Sequence, residues 1–280
     1  MGAASYPTLA SAQSDMIPVS CILGGLLLFT EQPGPRRWAI SKAGALFGIA
    51  VGLKLTAAPY CVAGVVALLL APDQSASARC RTVLAFGAAG VAAAALVGGP
   101  WWLTMYIAYG NPILPSMNQL FHSPFVDPLS FTDERFQPRT WAQALAYPFY
   151  WAATPRSLVS ELAVRDPRFA MAYVALTIVL LRSATSWLQR GRRLDRTATM
   201  LVAFFIASFV VWEALFSYLR YLAPLELLVG AVVLLAVQPL LAMPRLRVPA
   251  ATVVLLLCAA GLVATIYPDW GLFDTDADRT

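Results

Sequence analysis

Long apolar runs separated by short polar or basic breaks set the pattern of this chain. Eight of them qualify as membrane-crossing helices, at roughly 16–30, 39–53, 56–71, 83–108, 169–182, 198–216, 223–242 and 249–267. About 20 apolar residues cross a bilayer as a helix, and shorter runs serve where flanking side chains snorkel. The second and third runs are short and meet in "GLKLTAAPY", where Lys54 and Pro59 interrupt them. Two short helices joined by a turn are predicted there. The fourth run is over-long, and Pro100 is expected to kink it or end its regular part. The pattern predicts an all-α, multi-pass helix bundle, a single membrane domain over residues 1–280.

Charge in the breaks gives the chain a direction. The segments 31–38, 72–82, 183–197 and 243–248, with Lys42 and Arg182 beside them, hold 12 basic residues and three acids, Glu31, Asp73 and Asp195. The remaining 8 basic residues and 12 acids fall on the other side. Basic loops stay in the cytoplasm, so eight alternating spans place both termini on the extracytoplasmic face. The net charge of +5 is therefore a topology signal, and nucleic acid is not an expected partner. An outside tail before residue 16 with nothing to translocate it is explained either by a longer protein whose earlier spans precede Met1 or by a short translocated tail.

Composition agrees with a membrane chain. Of the 280 residues 59% are hydrophobic and 12% charged, with mean hydropathy +0.66. Soluble domains have about 25% charged residues. Cys21, Cys61, Cys80 and Cys258 lie far apart with no metal-ligand spacing, so neither a disulfide framework nor a metal site is read from them.

The polar interest concentrates after the fourth run, in "PWWLTMYIAYGNPILPSMNQLFHSPF", where Asn111, Asn118, Gln119 and His122 follow directly on apolar sequence. Residues 109–168 make one large extracytoplasmic loop, and segments of that length are usually functional or disordered. Its aromatic content argues against disorder, and "TWAQALAYPFYWA" has the look of a helix lying in the membrane interface. Within the loop, "FTDERFQPR" offers Asp133, Glu134, Arg135 and Arg139, either as ligands for sugar hydroxyls and phosphate or as a salt-bridged cluster holding the loop down. "ELAVRDPRFA" reads as an anchor where the chain returns to lipid. His122, the only histidine, is either a polar contact or an ordinary loop residue.

Two cations at the outer membrane boundary stand out: Lys54, and Arg220 in "SYLRYLAP". Ionisable groups at membrane depth default to functional roles, and two cations facing one compartment suit an anionic lipid headgroup. The alternative is snorkelling, with Glu213 as an ion-pair partner of Arg220.

"ALFGIAVGLKLTAAP", "PWWLTMYIAYGNPILP" and "SYLRYLAPLELL" resemble the GT-C class of integral-membrane glycosyltransferases. The relatives meant are the bacterial kin of protein O-mannosyltransferases and of the lipid A aminoarabinose transferase. The resemblance runs over nearly the whole chain, through short motifs in a fixed order. It implies a polyprenyl-phosphate-linked sugar donor and a glycan, lipid or protein acceptor, used without a nucleotide at the outer face of a bacterial inner membrane. It also implies a catalytic acid in an outer loop after a first span. That loop has no counterpart in this chain, so Asp15, ending a small-residue stretch, is only a weak stand-in. The chain is thus expected to be a C-terminal portion of a member and not to transfer sugar by itself. By position, Lys54, Arg220 and Tyr221 fit the donor phosphate, in one outward cavity roofed by residues 110–140. Asn118, His122, Asp133, Glu134 and Arg135 fit the sugar or acceptor. No cofactor is required, though a divalent metal would be compatible. The competing classes are an O-antigen polymerase or ligase and a transporter or flippase. A transporter should carry broken polar helices at the bilayer midplane in repeated halves, which the sequence lacks.

Overall fold

Where the apolar runs lie, the chain is helical. The computed structural model describes residues 15–30, 37–72, 74–128, 134–191 and 194–266. Its helices are α1 (Met16–Thr30), α2 (Arg37–Leu53), α3 (Ala58–Leu70) and α4 (Ala76–Tyr109), then three short ones, α5 (Asn118–Phe121), α6 (Trp141–Leu145) and α7 (Tyr147–Ala153). They are followed by α8 (Arg168–Arg190), α9 (Arg196–Leu215), α10 (Ala223–Ala242) and α11 (Pro244–Ala264). Among the described residues there is no strand, only isolated bridges at Arg156–Val164 and Arg165–Ile266. Five segments are long and apolar enough to cross a membrane: Ala76–Tyr109, Arg168–Gln189, Arg196–Leu215, Leu219–Ala242 and Pro244–Ala264. The protein is therefore an all-helical membrane protein. Helices α1 to α3 are apolar but shorter.

Helix ends follow local chemistry. Lys54 leaves α2 in an extended conformation (φ −154°, ψ 113°), a 3-10 turn spans Leu55–Ala57, and Pro59 sits in the first turn of α3, where a missing N–H costs nothing. The predicted turn is present. Ser75 caps α4 by accepting from the Ala78 N–H at 3.3 Å, which starts the helix seven residues before the apolar run suggests. It then continues through Pro100 to Gly110, whose φ of 71° closes it, so the proline does not end the helix. At about 1.5 Å per residue its 34 residues span roughly 51 Å. The loop expected at 183–197 is shorter than predicted, because α8 runs on to Arg190 and stops only at Gly191 (φ 62°). The stretch "SATSWLQR" holds no breaker, so the helix has no reason to end at Arg182. The loop expected at 243–248 likewise shrinks to a break at Met243, with Pro244 opening α11.

The described residues pack as two compact units. The first comprises Asp15–Gln137 with Leu194–Phe216, and the second comprises 138–191 with 217–266. In the first, α1 and α2 run antiparallel: Asp15 before α1 meets Lys54 after α2, and Gly25 faces Phe47. Helices α2 and α4 run parallel and touch backbone to backbone. A Cβ added at Gly44 would strike the Phe86 main chain, and one at Gly48 would strike Gly90. One at Gly52 would lie 2.9 Å from the Val97 side chain and 3.0 Å from the Gly98 nitrogen. Small residues four apart allow such close approach between membrane helices. Phe47 fills the space beside this seam, edge-on to Phe86 and to Phe204 of α9 at 5.3 and 6.1 Å between ring centres. The Thr197 hydroxyl donates to the Thr30 carbonyl at 3.2 Å, joining the start of α9 to the end of α1.

In the second unit α8 and α10 run parallel, with Arg168 by Glu226 and Arg182 donating to the Ala236 carbonyl at 2.8 Å. Helix α11 runs the opposite way, its end fixed where the Arg165 Nε donates to the Ala264 carbonyl at 2.8 Å. Tyr147 and Trp151 of α7 are buried, with Trp151 edge-on to Phe169 of α8 at 6.1 Å.

Candidate functional site

In the first unit the structure brings together two of the residues singled out by sequence. Lys54 stands at the break between α2 and α3, and its ammonium pairs with the Asp15 carboxylate at the start of α1, 39 residues away. The Asp15 side chain is 6% exposed and that of Lys54 25%. The pairing follows from the antiparallel α1–α2 contact, which puts the beginning of one helix beside the end of the other. A carboxylate at a helix N-terminus is favoured by the helix dipole. The ammonium extends from an extended residue and is not tied to a regular helix face. Chemically, this pair holds a cation able to receive a phosphate and a carboxylate able to receive a proton.

The amides in the loop do something else. Asn118 is fully buried: its Nδ2 donates to the carbonyls of Ser123 (3.0 Å), Val126 (2.7 Å) and Asp127 (3.2 Å). Its Oδ1 accepts from the Ser123 N–H at 2.9 Å and from Asn111 Nδ2 at 3.3 Å. Asn111, also fully buried, donates to the Ser116 carbonyl at 3.0 Å and accepts from the Ile113 N–H at 2.9 Å. An Asn side chain has two donors and two acceptor sites, so Asn118 is saturated by its own loop. The two amides brace the turns from 111 to 127, and neither presents a group to solvent. His122 sits on that brace, with φ 55°, its N–H donating to the Asn118 carbonyl at 2.8 Å and its side chain exposed.

Glu134 and Arg135 form an exposed 3-10 turn (Glu134–Phe136) with Phe136 buried beneath it and the Arg135 guanidinium 5.1 Å from that ring. Gln137 pins the turn to the end of α9 by donating to the Ala214 carbonyl at 3.2 Å. Asp133 lies outside the described residues. The interfacial helix expected over 140–152 is two short helices, α6 and α7, parted at Ala146. Thr140 caps α6, and Trp141 at its start is 88% exposed.

No protein-family model, no curated protein sequence and no solved structure matches this chain.

Arg220 and Tyr221 belong to the second unit, whereas Lys54 and Glu213 belong to the first. Arg220 lies in the 3-10 turn Leu219–Leu222, its guanidinium 5.3 Å from the Tyr218 ring and 5.4 Å from the Tyr221 ring. The two rings are 5.3 Å apart at 64°. The Tyr218 hydroxyl donates to Glu161 Oε2 at 2.5 Å. Burial pushes that phenol above its usual range, the Glu161 carboxylate adds to the shift, and Arg220 opposes it. Sequence reading missed Tyr218 and Glu161 as members of this cluster. The aromatic–Arg–aromatic order of "YLRY" was the available signal.

The second unit also holds a second charged group. Arg168 donates to both oxygens of Asp166, from Nε at 2.9 Å and from Nη2 at 2.5 Å. Its Nη1 is 3.6 Å from Glu226 Oε1 in the first turn of α10. Asp166 and Glu226 are buried. The "RDPR" segment thus anchors the start of α8. Among the described residues no three His, Cys, Asp or Glu side chains gather to hold a metal ion.

Proposed function

We propose that this chain is a membrane glycosyltransferase component of the GT-C type, handling a polyprenyl-phosphate-linked sugar at the extracytoplasmic face during cell-envelope glycan assembly. The observation that carries the reading is the Lys54–Asp15 pair, held at helix ends where α2 breaks. A phosphate at the membrane boundary needs a cation, and at an effective dielectric near 20 opposite charges about 4 Å apart attract by roughly 4 kcal/mol before desolvation. Lys54 supplies that cation. Asp15 holds the ammonium until phosphate takes its place. The sugar, lipid-length and acceptor preferences follow from other parts of the surface, with exposed Glu134, Arg135 and His122 as the polar groups of the first unit.

The measurement is binding of polyprenyl phosphate to the full chain in lipid nanodiscs, which does not depend on turnover. Lys54→Ala is expected to weaken binding by about ten-fold or more, that is, roughly 1.4 kcal/mol. Asp15→Asn removes the competing anion and is expected to tighten it. Arg245→Ala, in the first turn of α11, is expected to leave it unchanged. If Lys54→Ala and Asp15→Asn weaken binding alike, the pair is a staple and not a phosphate site.

All eight apolar helices are proposed to cross, with the basic segments cytoplasmic. The relative directions support this: α2 parallels α4 and α8 parallels α10, as alternate spans should, while neighbours α1 and α2 oppose each other. In a background without the native cysteines, Ala163→Cys should react with an impermeant thiol reagent applied outside intact cells, and Gln189→Cys should not. Both positions are exposed in the fold. Labelling at 189 alone would invert the orientation.

A further inference from the structure

The second unit carries a cluster whose chemistry differs from that of a phosphate site. We infer that Tyr218, Arg220, Tyr221 and Glu161 form a platform for a neutral pyranose ring; this rests on the glycosyltransferase reading and names the ligand that the second unit takes. The two phenol rings stand at 64° with centres 5.3 Å apart and give an angled apolar surface. Arg220 packs against both. Glu161 is exposed, and the other three are part-exposed. A sugar ring offers C–H faces to an aromatic surface and hydroxyls along its edge. Each hydroxyl both donates and accepts, whereas a carboxylate only accepts and a guanidinium only donates. Glu161, which accepts from the Tyr218 hydroxyl, and Arg220, beside the Tyr218 ring, therefore bring an acceptor and a donor type to one ring, the two kinds of partner that sugar hydroxyls take. A phosphate, by contrast, meets a carboxylate at this place, which repels it.

The cluster is also built, not incidental. Ser217, immediately before it, holds φ 49° as a buried non-glycine residue, a strained conformation that persists only where its surroundings enforce it. The Leu219 N–H then donates to the Val159 carbonyl at 2.7 Å, and Tyr218 reaches Glu161 in the same segment. Backbone and side chain together fix the 217–222 turn against the chain at 159–161. The turn so fixed runs directly into the start of α10, and pre-set aromatic and polar groups are how small-molecule sites obtain specificity.

The test titrates the full chain in detergent with a panel of methyl hexopyranosides and reads saturation-transfer NMR, with inorganic phosphate as the competitor. Saturable binding of at least one pyranoside is expected. Tyr221→Ala and Glu161→Gln should each weaken it by about ten-fold, with the melting temperature of Tyr221→Ala unchanged. Tyr218→Phe, which keeps the ring and loses the hydroxyl, should weaken it less than Tyr221→Ala. Absence of saturable binding across the panel, displacement by phosphate, or binding that survives both Tyr221→Ala and Glu161→Gln would overturn the platform. A parallel fall of melting temperature and binding in Tyr221→Ala would make the cluster a structural tie and overturn it equally. Arg245→Ala, exposed in the first turn of α11, should leave pyranoside binding intact. The two experiments use different probes, so a failure of the polyprenyl-phosphate experiment removes the donor site alone, and a failure here removes only the sugar platform.

Discussion

Gly48→Val is expected to prevent the first unit from closing, with a loss of about 3 kcal/mol or more, or no folded protein at all. The Cβ alone, before the two methyls, would strike the main chain of Gly90, and backbone cannot move aside as a side-chain tip can. Over-packing a well-filled core costs about 1–3 kcal/mol when side chains absorb it, and here the obstacle is the helix α4 itself. Gly87→Ala is the matched control, because a Cβ there meets nothing within 4 Å. Thermal unfolding of the two purified variants in detergent checks the difference. Equal melting temperatures for Gly48→Val and the parent chain would mean that α2 and α4 are not in backbone contact.

Arg168→Met is expected to destabilise the second unit by about 3–5 kcal/mol, the usual effect of removing one member of a buried ionic group. Asp166 and Glu226 are both buried and both lose their arginine at once. The same side chain packs on α11, where a Cβ built at Gly261 would lie 3.2 Å from Arg168 Cγ. Three helices therefore depend on this one residue. Adding Glu226→Gln to Arg168→Met should recover part of the loss, since a neutral amide is cheaper to bury than a carboxylate. Denaturation of both single variants and the double variant gives the coupling directly. A loss below about 1 kcal/mol for Arg168→Met, the range of exposed pairs, would show that water reaches these carboxylates.

What could be read from the sequence divides by range. The positions of α1, α2, α3, α9 and α10 follow from apolar run length, and α10 coincides with the predicted 223–242. The early start of α4 and the late end of α8 were hidden because polar and basic residues continue both helices beyond their apolar parts; only Ser75 and Gly191 mark the true ends. The seam between α2 and α4 has a local signal, glycines at 44, 48 and 52, but its partner surface lies on a helix two elements later, which periodicity does not reveal. Lys54 was legible as a charge out of place, whereas its pairing with Asp15 required the antiparallel contact of α1 and α2. Asn118 looked like a ligand because it is polar and follows a span. Its burial, and hence its role as a brace, depends on turns that only the folded loop displays.

The parallel contact of α2 and α4 bears on how the chain is made. Two helices pointing the same way and packed side by side cannot be joined by a tight turn; a return segment, α3, has to come between them. Gly44 meets Phe86 and Gly48 meets Gly90, so each contact joins positions 42 residues apart. At the ordinary ~5–20 residues per second of synthesis, the glycine edge of α2 emerges roughly 2–8 s before its partner exists. During that interval lipid or the insertion machinery must occupy the groove, and whatever sits there has to leave when α4 arrives.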